Sequence, residues 1–252
     1  MQTITNFRDL AGLENRAGQK IKPKKMLRSG ELSRVSANDQ ERLVHEYRLA
    51  KIIDLRSQAE VLERPDLPIA NTDYTHIDIF QNIHSTGSGL DDFTKLEDPK
   101  QAQQHMLELY RMMASDPVAQ RGFTQVIEQA LSVAEQNSFL FHCFAGKDRT
   151  GLSATLLLEL LDVPRTSIYE DYLRTNVLRQ QENQAIIQSV IGQTNQPQAV
   201  EALTIALTVT PAYLDVFYQT VTEHYGNIEH FITSELQISH TMKQELQQLF
   251  LE

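Results

Sequence analysis

The sequence predicts an α/β fold: a small, mostly parallel sheet of four or five strands flanked by helices, with extra helices towards the C-terminus. Three observations carry this. Short apolar runs alternate with stretches of helical period through the first half of the chain. One run, Phe139–His142, leads through a tight loop into Leu152–Leu161, which is apolar nearly all round and suits a buried helix. Beyond that helix, only helical patterns follow. With 252 residues, 41% of them hydrophobic, the chain can bury a substantial core and is expected to form a single domain over 1–252.

Residues 1–35 read as irregular chain with short strands, and Lys20–Lys25 as a solvated basic hairpin or loop. Ser36 caps a helix expected over about 37–48. Lys51–Leu55 reads as a parallel core strand. A helix beginning near Arg56 and Glu60 stops before Pro65. Tyr74–Phe80 alternates as a strand does, and Asn82–Pro99 reads as a mobile loop. Met106, Leu109, Tyr110 and Met113 share one helical face. Asp116-Pro117 starts a second helix, whose stripe runs from Phe123 to Ala134. After the central helix, Pro164 opens a helix in which Tyr169 and Tyr172 read as packing residues. Val177–Ile191 is helical, Gly192–Pro197 breaks it, and Val200–Val209 is a second piece. The segment of about 176–211 is expected to act as a helical lid. Pro211 and Ser239 begin the last two long helices.

Composition narrows the function. A net charge of −10 argues against general nucleic-acid binding. The only cysteine, Cys143, excludes an internal disulfide and any chemistry that needs a resolving cysteine in the same chain. No apolar run reaches the length of a transmembrane segment, and residues 1–8 do not read as a signal peptide. The expected location is cytoplasmic, with secretion left open. The eight histidines show no ligand spacing, so neither metal nor cofactor is expected.

The chemistry concentrates between the strand and the helix, where Cys143 is followed by five residues and Arg149. A loop of this kind at a helix N-terminus makes an anion site: its amides turn inward, and the helix dipole favours negative charge. Phe144, Ala145, Gly146, Lys147, Asp148 and Arg149 would hold the anion. A cysteine at the base is a nucleophile whose thiolate the amides and a cation stabilise. Arg149 offers a planar fork for two phosphoryl oxygens. The Thr150 hydroxyl can donate to the sulfur, and Gly146 lets the backbone approach the ligand.

These residues carry a resemblance. His142-Cys143-(five residues)-Arg149-Thr150-Gly151 resembles the signature of the cysteine-dependent protein tyrosine phosphatase superfamily. The fuller His142–Gly151 string resembles a narrower group, the atypical bacterial tyrosine and lipid phosphatases. Asn6-Phe7-Arg8-Asp9-Leu10, Arg28-Ser29-Gly30, Ile53-Asp54-Leu55-Arg56 and Asp171–Asn176 match further motifs of that group. Ala11 departs from it, where the group often has Gly. The resemblance implies a tyrosine-phosphatase-like fold and broad specificity: phosphotyrosine, with phosphoserine, phosphothreonine and phosphoinositides as further substrates, and inorganic phosphate as product.

The expected reaction has two steps. Cys143 attacks phosphorus to form a phosphocysteine, and water then hydrolyses it. The general acid is open between two aspartates. The chain has no Trp, so the Trp-Pro-Asp loop of ordinary tyrosine phosphatases is absent. The resemblance implies that an aspartate at position 148 serves. Asp54, at a strand end, is the second candidate; its alternative reading is an ion pair with Arg56 or Arg149. Asp9 and Asp78 stand behind both. Lys147 either meets a second phosphate or adds to the positive field. His142 reads as a core histidine supporting the loop, or as a proton-transfer group. Competing functions are an arsenate reductase or sulfurtransferase, and a phosphate-binding module without catalysis. A lone cysteine speaks against the reductase, and Lys147–Gly151 against the sulfurtransferase.

Overall fold

The sheet is built so that four parallel strand ends meet at one edge. Its order is β1-β2-β5-β3-β4, with β1 Arg8–Asp9, β2 Met26–Ser29, β3 Leu49–Asp54, β4 Asp73–His76 and β5 Ser138–His142. Only β1 runs antiparallel, against β2. β5 is central, and the register sets Ser29 and Asp54 beside His142, with His76 beside Asp54. The motifs that end β2, β3 and β5 therefore sit side by side. The structure is a computed structural model, and it describes residues 1–83, 98–191 and 197–252.

Near-continuous apolar strands reflect burial on both faces. Phe139, Phe141, Ile53 and Met26 face the larger core, while Leu140, Ile52 and Leu27 face a smaller one. The smaller core is closed by the N-terminal segment and by α1 (Ala37–Glu41), which widens into a π turn over Arg42–Glu46. The larger core lies under α3 (Pro99–Ser115), α4 (Pro117–Leu131), α5 (Arg149–Leu160) and the later helices. Every residue of α5 except Glu159 is buried, as its all-round apolar pattern requires. Asp98 and Asp116 cap α3 and α4, each with proline at the first helical turn. Helix α2 (Gln58–Glu63) begins with a capping box between Ser57 and Glu60.

The rest is helical: α6 (Arg165–Leu178), α7 (Gln180–Ile191), α8 (Pro197–Leu207), α9 (Pro211–Tyr225), α10 (Ile228–His230) and α11 (His240–Phe250). α8 packs on α3, and only Asn183 of α7 is buried. No single helix among the described residues is long and apolar enough to cross a membrane.

Several boundaries differ from the sequence reading. β4 ends at His76 rather than Phe80, because the Asp78 carboxylate accepts from the amides of Gln58 and Phe80 and turns the chain out of the sheet. β3 begins two residues early, at Leu49. The helix expected over Val177–Ile191 is divided at Arg179, whose side chain donates to Ala145 O in the loop after β5. Most of Asn82–Pro99 (84–97) and of Gly192–Pro197 (192–196) lies outside the described residues.

Candidate active site

The loop from Cys143 to Asp148 joins β5 to α5, and its form follows from where its carbonyls go. Phe144 O accepts from the Glu31 amide at 3.1 Å. Ala145 O accepts from Asn6 Nδ2 at 3.1 Å and from Arg179 Nη1 at 3.0 Å. Gly146 O accepts from Asn6 Nδ2 at 2.8 Å and from Arg28 Nη2 at 3.0 Å. Three successive carbonyls are thus held on the outside. In a trans peptide the N–H opposes the C=O, so the amides of Ala145, Gly146 and Lys147 face inward. Gly146 has φ +63°, and a Cβ there would lie 2.2 Å from Ser29 O, so only glycine serves. The free amides of the first turn of α5 complete the cradle.

The donors that hold the carbonyls are themselves fixed. Asp171 on α6 binds Arg8 Nε and Arg28 Nη1, each at 2.7 Å, and Arg8 Nη1 donates to Asn6 Oδ1 at 2.6 Å. Asp171, Arg8 and Arg28 are all buried. Burial alone would raise the pKa of Asp171, but the two guanidinium groups outweigh it and lower it. Close packing at Gly151 brings α6 against α5, since a Cβ there would stand 3.0 Å from the Tyr172 ring.

Inside the loop, Cys143 is buried at its base. Arg149 makes a two-point ion pair with Glu60, Nη2 to Oε1 at 2.9 Å, and its guanidinium stacks 4.3 Å above the Phe80 ring. Burial would raise the pKa of Glu60, but Arg149 outweighs it and holds it down at about 2. Thr150 Oγ1 is buried without a hydrogen-bond partner among the described residues. Lys147, whose ammonium is buried, donates to the carbonyls of Ala206 and Thr208 at the end of α8 and lies 3.3 Å from Asp148 Oδ1. Engaged there, it is turned to the helices rather than to a second phosphate.

The two aspartates are placed very differently. Asp148 sits on the loop, partly exposed. Its Oδ1 accepts from Tyr110 Oη at 2.7 Å, and Tyr110 in turn lies 2.6 Å from Tyr172 Oη. Its Oδ2 has no partner among the described residues. Asp54 is fully buried. Both its oxygens are taken by Arg56, at 2.6 to 3.1 Å, and Oδ2 also accepts from Tyr74 Oη at 2.7 Å. Burial would raise its pKa, but His142, Arg56 and Tyr74 together hold it well below the usual carboxylate range. It stays ionised.

His142 lies under the loop, with Nε2 2.9 Å from Asp66 Oδ2 and Nδ1 3.9 Å from Asp54 Oδ1. Burial disfavours its charge, but the two carboxylates outweigh that and push its pKa up to about 9. Asp54, Asp66 and His142 bring three donor atoms within 4.8 Å. Arg56 already stands among them, 2.9 Å from Asp66, so guanidinium and imidazolium supply the cationic charge that a metal would.

Sequence reasoning passed over several of these residues. Glu60 read as a helix start, though its capping box was legible and its second carboxylate partner was not. Tyr110 read as part of an apolar helix face and Arg179 as part of a helix, and Asp66 was not singled out. Asn6, Arg8, Arg28 and Asp171 stood out through the resemblance alone, and only the fold shows that they hold one loop.

A parallel sheet with a cysteine–arginine anion loop at the end of its central strand defines a phosphate-handling site. A profile of the tyrosine phosphatase family matches residues 1–252, and the chain belongs to that family. A Cupriavidus necator protein named as a tyrosine-protein phosphatase is 29% identical over 240 residues, covering 94% of this chain and 83% of that protein. The triple specificity protein phosphatase PtpB of Mycobacterium tuberculosis is 29% identical over 253 residues, covering 88% of each. A tyrosine-protein phosphatase of Nostoc commune is 33% identical over 132 residues, 48% of this chain. The chain is a protein-tyrosine-phosphatase hydrolase that acts on phosphorylated substrate and releases phosphate.

The imidazolium has a measurable consequence. The folded-state pKa of His142, about 9, lies above its ordinary 6.5. The stability it contributes is present in full below about pH 6.5 and lost as pH rises through about 9, ~3 kcal/mol in order of magnitude. Unfolding free energy measured across this window should fall in the wild type and stay flatter in His142→Asn, which starts less stable. Parallel slopes in the two proteins would show that His142 is not protonated in the fold.

Proposed function

We propose that the chain hydrolyses phosphate monoesters through a phosphocysteine on Cys143, with Asp148 as general acid and then base. The observation that carries this is the outward capture of the Phe144, Ala145 and Gly146 carbonyls. It leaves the loop amides aimed at one point above Cys143, with Arg149 fixed beside it by Glu60. Cys143 Sγ attacks phosphorus as the P–O ester bond breaks, and the leaving oxygen takes the proton of Asp148. Water then attacks phosphorus as the S–P bond breaks, giving its proton back to the Asp148 carboxylate. Amides and guanidinium stabilise the charge on the equatorial oxygens in both steps. The unpartnered Thr150 hydroxyl suits a donor to the departing thiolate.

Geometry favours Asp148 over Asp54. Asp148 keeps one oxygen tethered by Tyr110 and the other free for the ester oxygen. Asp54 has neither an open oxygen nor a proton to give, and serves instead to hold Arg56 and His142 beneath the loop. The substrate range is the one the resemblance implies, phosphotyrosine, phosphoserine or phosphothreonine, and phosphoinositides, and the relative named for triple specificity supports a broad range. α7 and α8 act as a lid over this site. Its base is tied to the loop by Arg179 on Ala145 O and by Lys147 on Ala206 O, while α7 buries little.

Asp148→Asn should lower kcat/KM, which reports the leaving-group step, by about 10²–10⁴-fold on phosphoserine, an alkyl phosphate, and by much less on an aryl phosphate with a low leaving-group pKa. Asp54→Asn should show no such dependence on the leaving group. A leaving-group dependence confined to Asp54→Asn would transfer the role. For the lid, hydrogen exchange should be faster in α7 than in α5 and slow on adding vanadate. Equal protection in the two helices, unchanged by vanadate, would remove the lid.

A further inference from the structure

At the opposite end of the sheet from Cys143, the turns that lead into β2, β3 and β5 line an open surface cavity of about 440 Å³, with Lys24, His45 and Arg48 exposed. Lys25 directly precedes β2, Arg48 directly precedes β3, and Gln136 lies two residues ahead of β5. The five residues of β5, at roughly 3.3 Å each, put this end ~17 Å from the catalytic sulfur. The cavity is therefore separate from the phosphoryl site.

Its lining is cationic in a chain that carries an excess of acids. Lys24, Lys25, His45 and Arg48 face it, and Glu46 is its one acid. The nearby acids have other partners: Glu46 accepts from Arg42 Nε at 3.0 Å, Glu135 lies 3.9 Å from Lys22, and Asp9 accepts from the amides of Ala11 and Lys24 at 3.0 and 2.7 Å. The Lys25 ammonium donates to the carbonyls of Glu135 and Asn137. Its pKa is lowered by burial and by the crowding of Lys22 and Arg48. Lys24 and Arg48 have no ion-pair partner among the described residues. The Lys24 ammonium stands 5.9 Å from the centre of the Tyr47 ring. These two cationic residues also share an uncommon backbone, with φ +57° at Lys24 and +53° at Arg48, a region that side chains other than glycine and asparagine seldom adopt. Two cations outside any ion pair among the described residues, Lys24 within electrostatic reach of Asp9 and Glu46, are thus held at one site by turns that local preference alone would not select.

We propose that this cavity binds a small, multiply phosphorylated anion, held by Arg48 and Lys24 against the face of Tyr47. Arg48 supplies a fork for two phosphate oxygens, and Lys24 supplies a point charge for a second phosphate. The volume lies within the range of about 300–1,000 Å³ found for small-molecule sites. Several cations against one neutralised acid call for more than one phosphate. The basic run Lys20–Lys25 thereby gains a role beyond a solvated hairpin.

Isothermal titration of the full chain with myo-inositol hexasulfate tests this, because the probe has the charge of a polyphosphate and no phosphoryl group to hydrolyse. Binding should persist in Arg149→Ala and weaken about tenfold or more in Lys24→Ala/Arg48→Ala, whose kcat/KM for para-nitrophenyl phosphate should equal that of the wild type. Lys20→Ala/Lys22→Ala removes the same charge nearby and should keep the affinity within about twofold. Equal affinity in Lys24→Ala/Arg48→Ala, equal loss in Lys20→Ala/Lys22→Ala, or loss in Arg149→Ala would each overturn the proposal. Sedimentation with phosphatidylcholine vesicles, with and without phosphatidylinositol bisphosphate, separates the sources of ligand. Retention that needs both the bisphosphate and Arg48 assigns a lipid headgroup. Binding of the soluble probe without retention assigns a free phosphorylated molecule.

Discussion

The structure depends on where three carbonyl groups point. A loop of consecutive amides can bind an anion only if its carbonyls are kept out, and an unpaired buried carbonyl is costly. Here Asn6, Arg28, Arg179 and the Glu31 amide take them. Asp171 then fixes Arg8 and Arg28 from α6, and Arg8 fixes Asn6. Segments far apart in sequence are thereby joined into one ring around the loop. A buried ion network of this kind gives little net stability, but removing one member leaves the others desolvated and unpaired. Its value here is that it specifies one backbone geometry.

The same logic assigns different work to the charges within the ring. Arg149 is oriented before substrate arrives because Glu60 holds both its nitrogens. Glu60 is held in turn by the cap it makes with Ser57, so the start of α2 aims a guanidinium at the site. Asp54 and Asp66 keep His142 charged beneath the loop, and Arg56 binds both carboxylates. Asp148 is the one acid of the loop with an oxygen left over. An acidic chain can in this way handle an anionic substrate, since the positive charge is local, buried and pre-aligned.

Much of this was legible in the sequence. Phe139–His142, the loop and α5 stood out because a doubly buried strand and an all-round apolar helix leave unambiguous patterns. Gly146 could be read because its conformation excludes other residues. The partners of the loop could not be read in the same way. Asn6 reaches Gly146 across more than half of the chain, and no local period encodes such a contact. Arg179 stands at a break between two helices and its side chain reaches Ala145, and Glu60 is a capping residue until the fold brings Arg149 to it. β4 stopped short for a similar reason, since Asp78 turns the chain by accepting two amides that its alternating pattern does not reveal.

The central claim is that the loop is an anion cradle already formed by its outer ring. The most direct measurement is a crystal structure of the protein with tungstate, a stable oxyanion of phosphate shape. The account predicts the ion above Cys143, its oxygens accepting from the amides of residues 144–149 and from Arg149, while Asn6, Arg28 and Arg179 keep their bonds to the Ala145 and Gly146 carbonyls. An ion seated elsewhere, or a loop whose carbonyls must turn over before the ion binds, would contradict it.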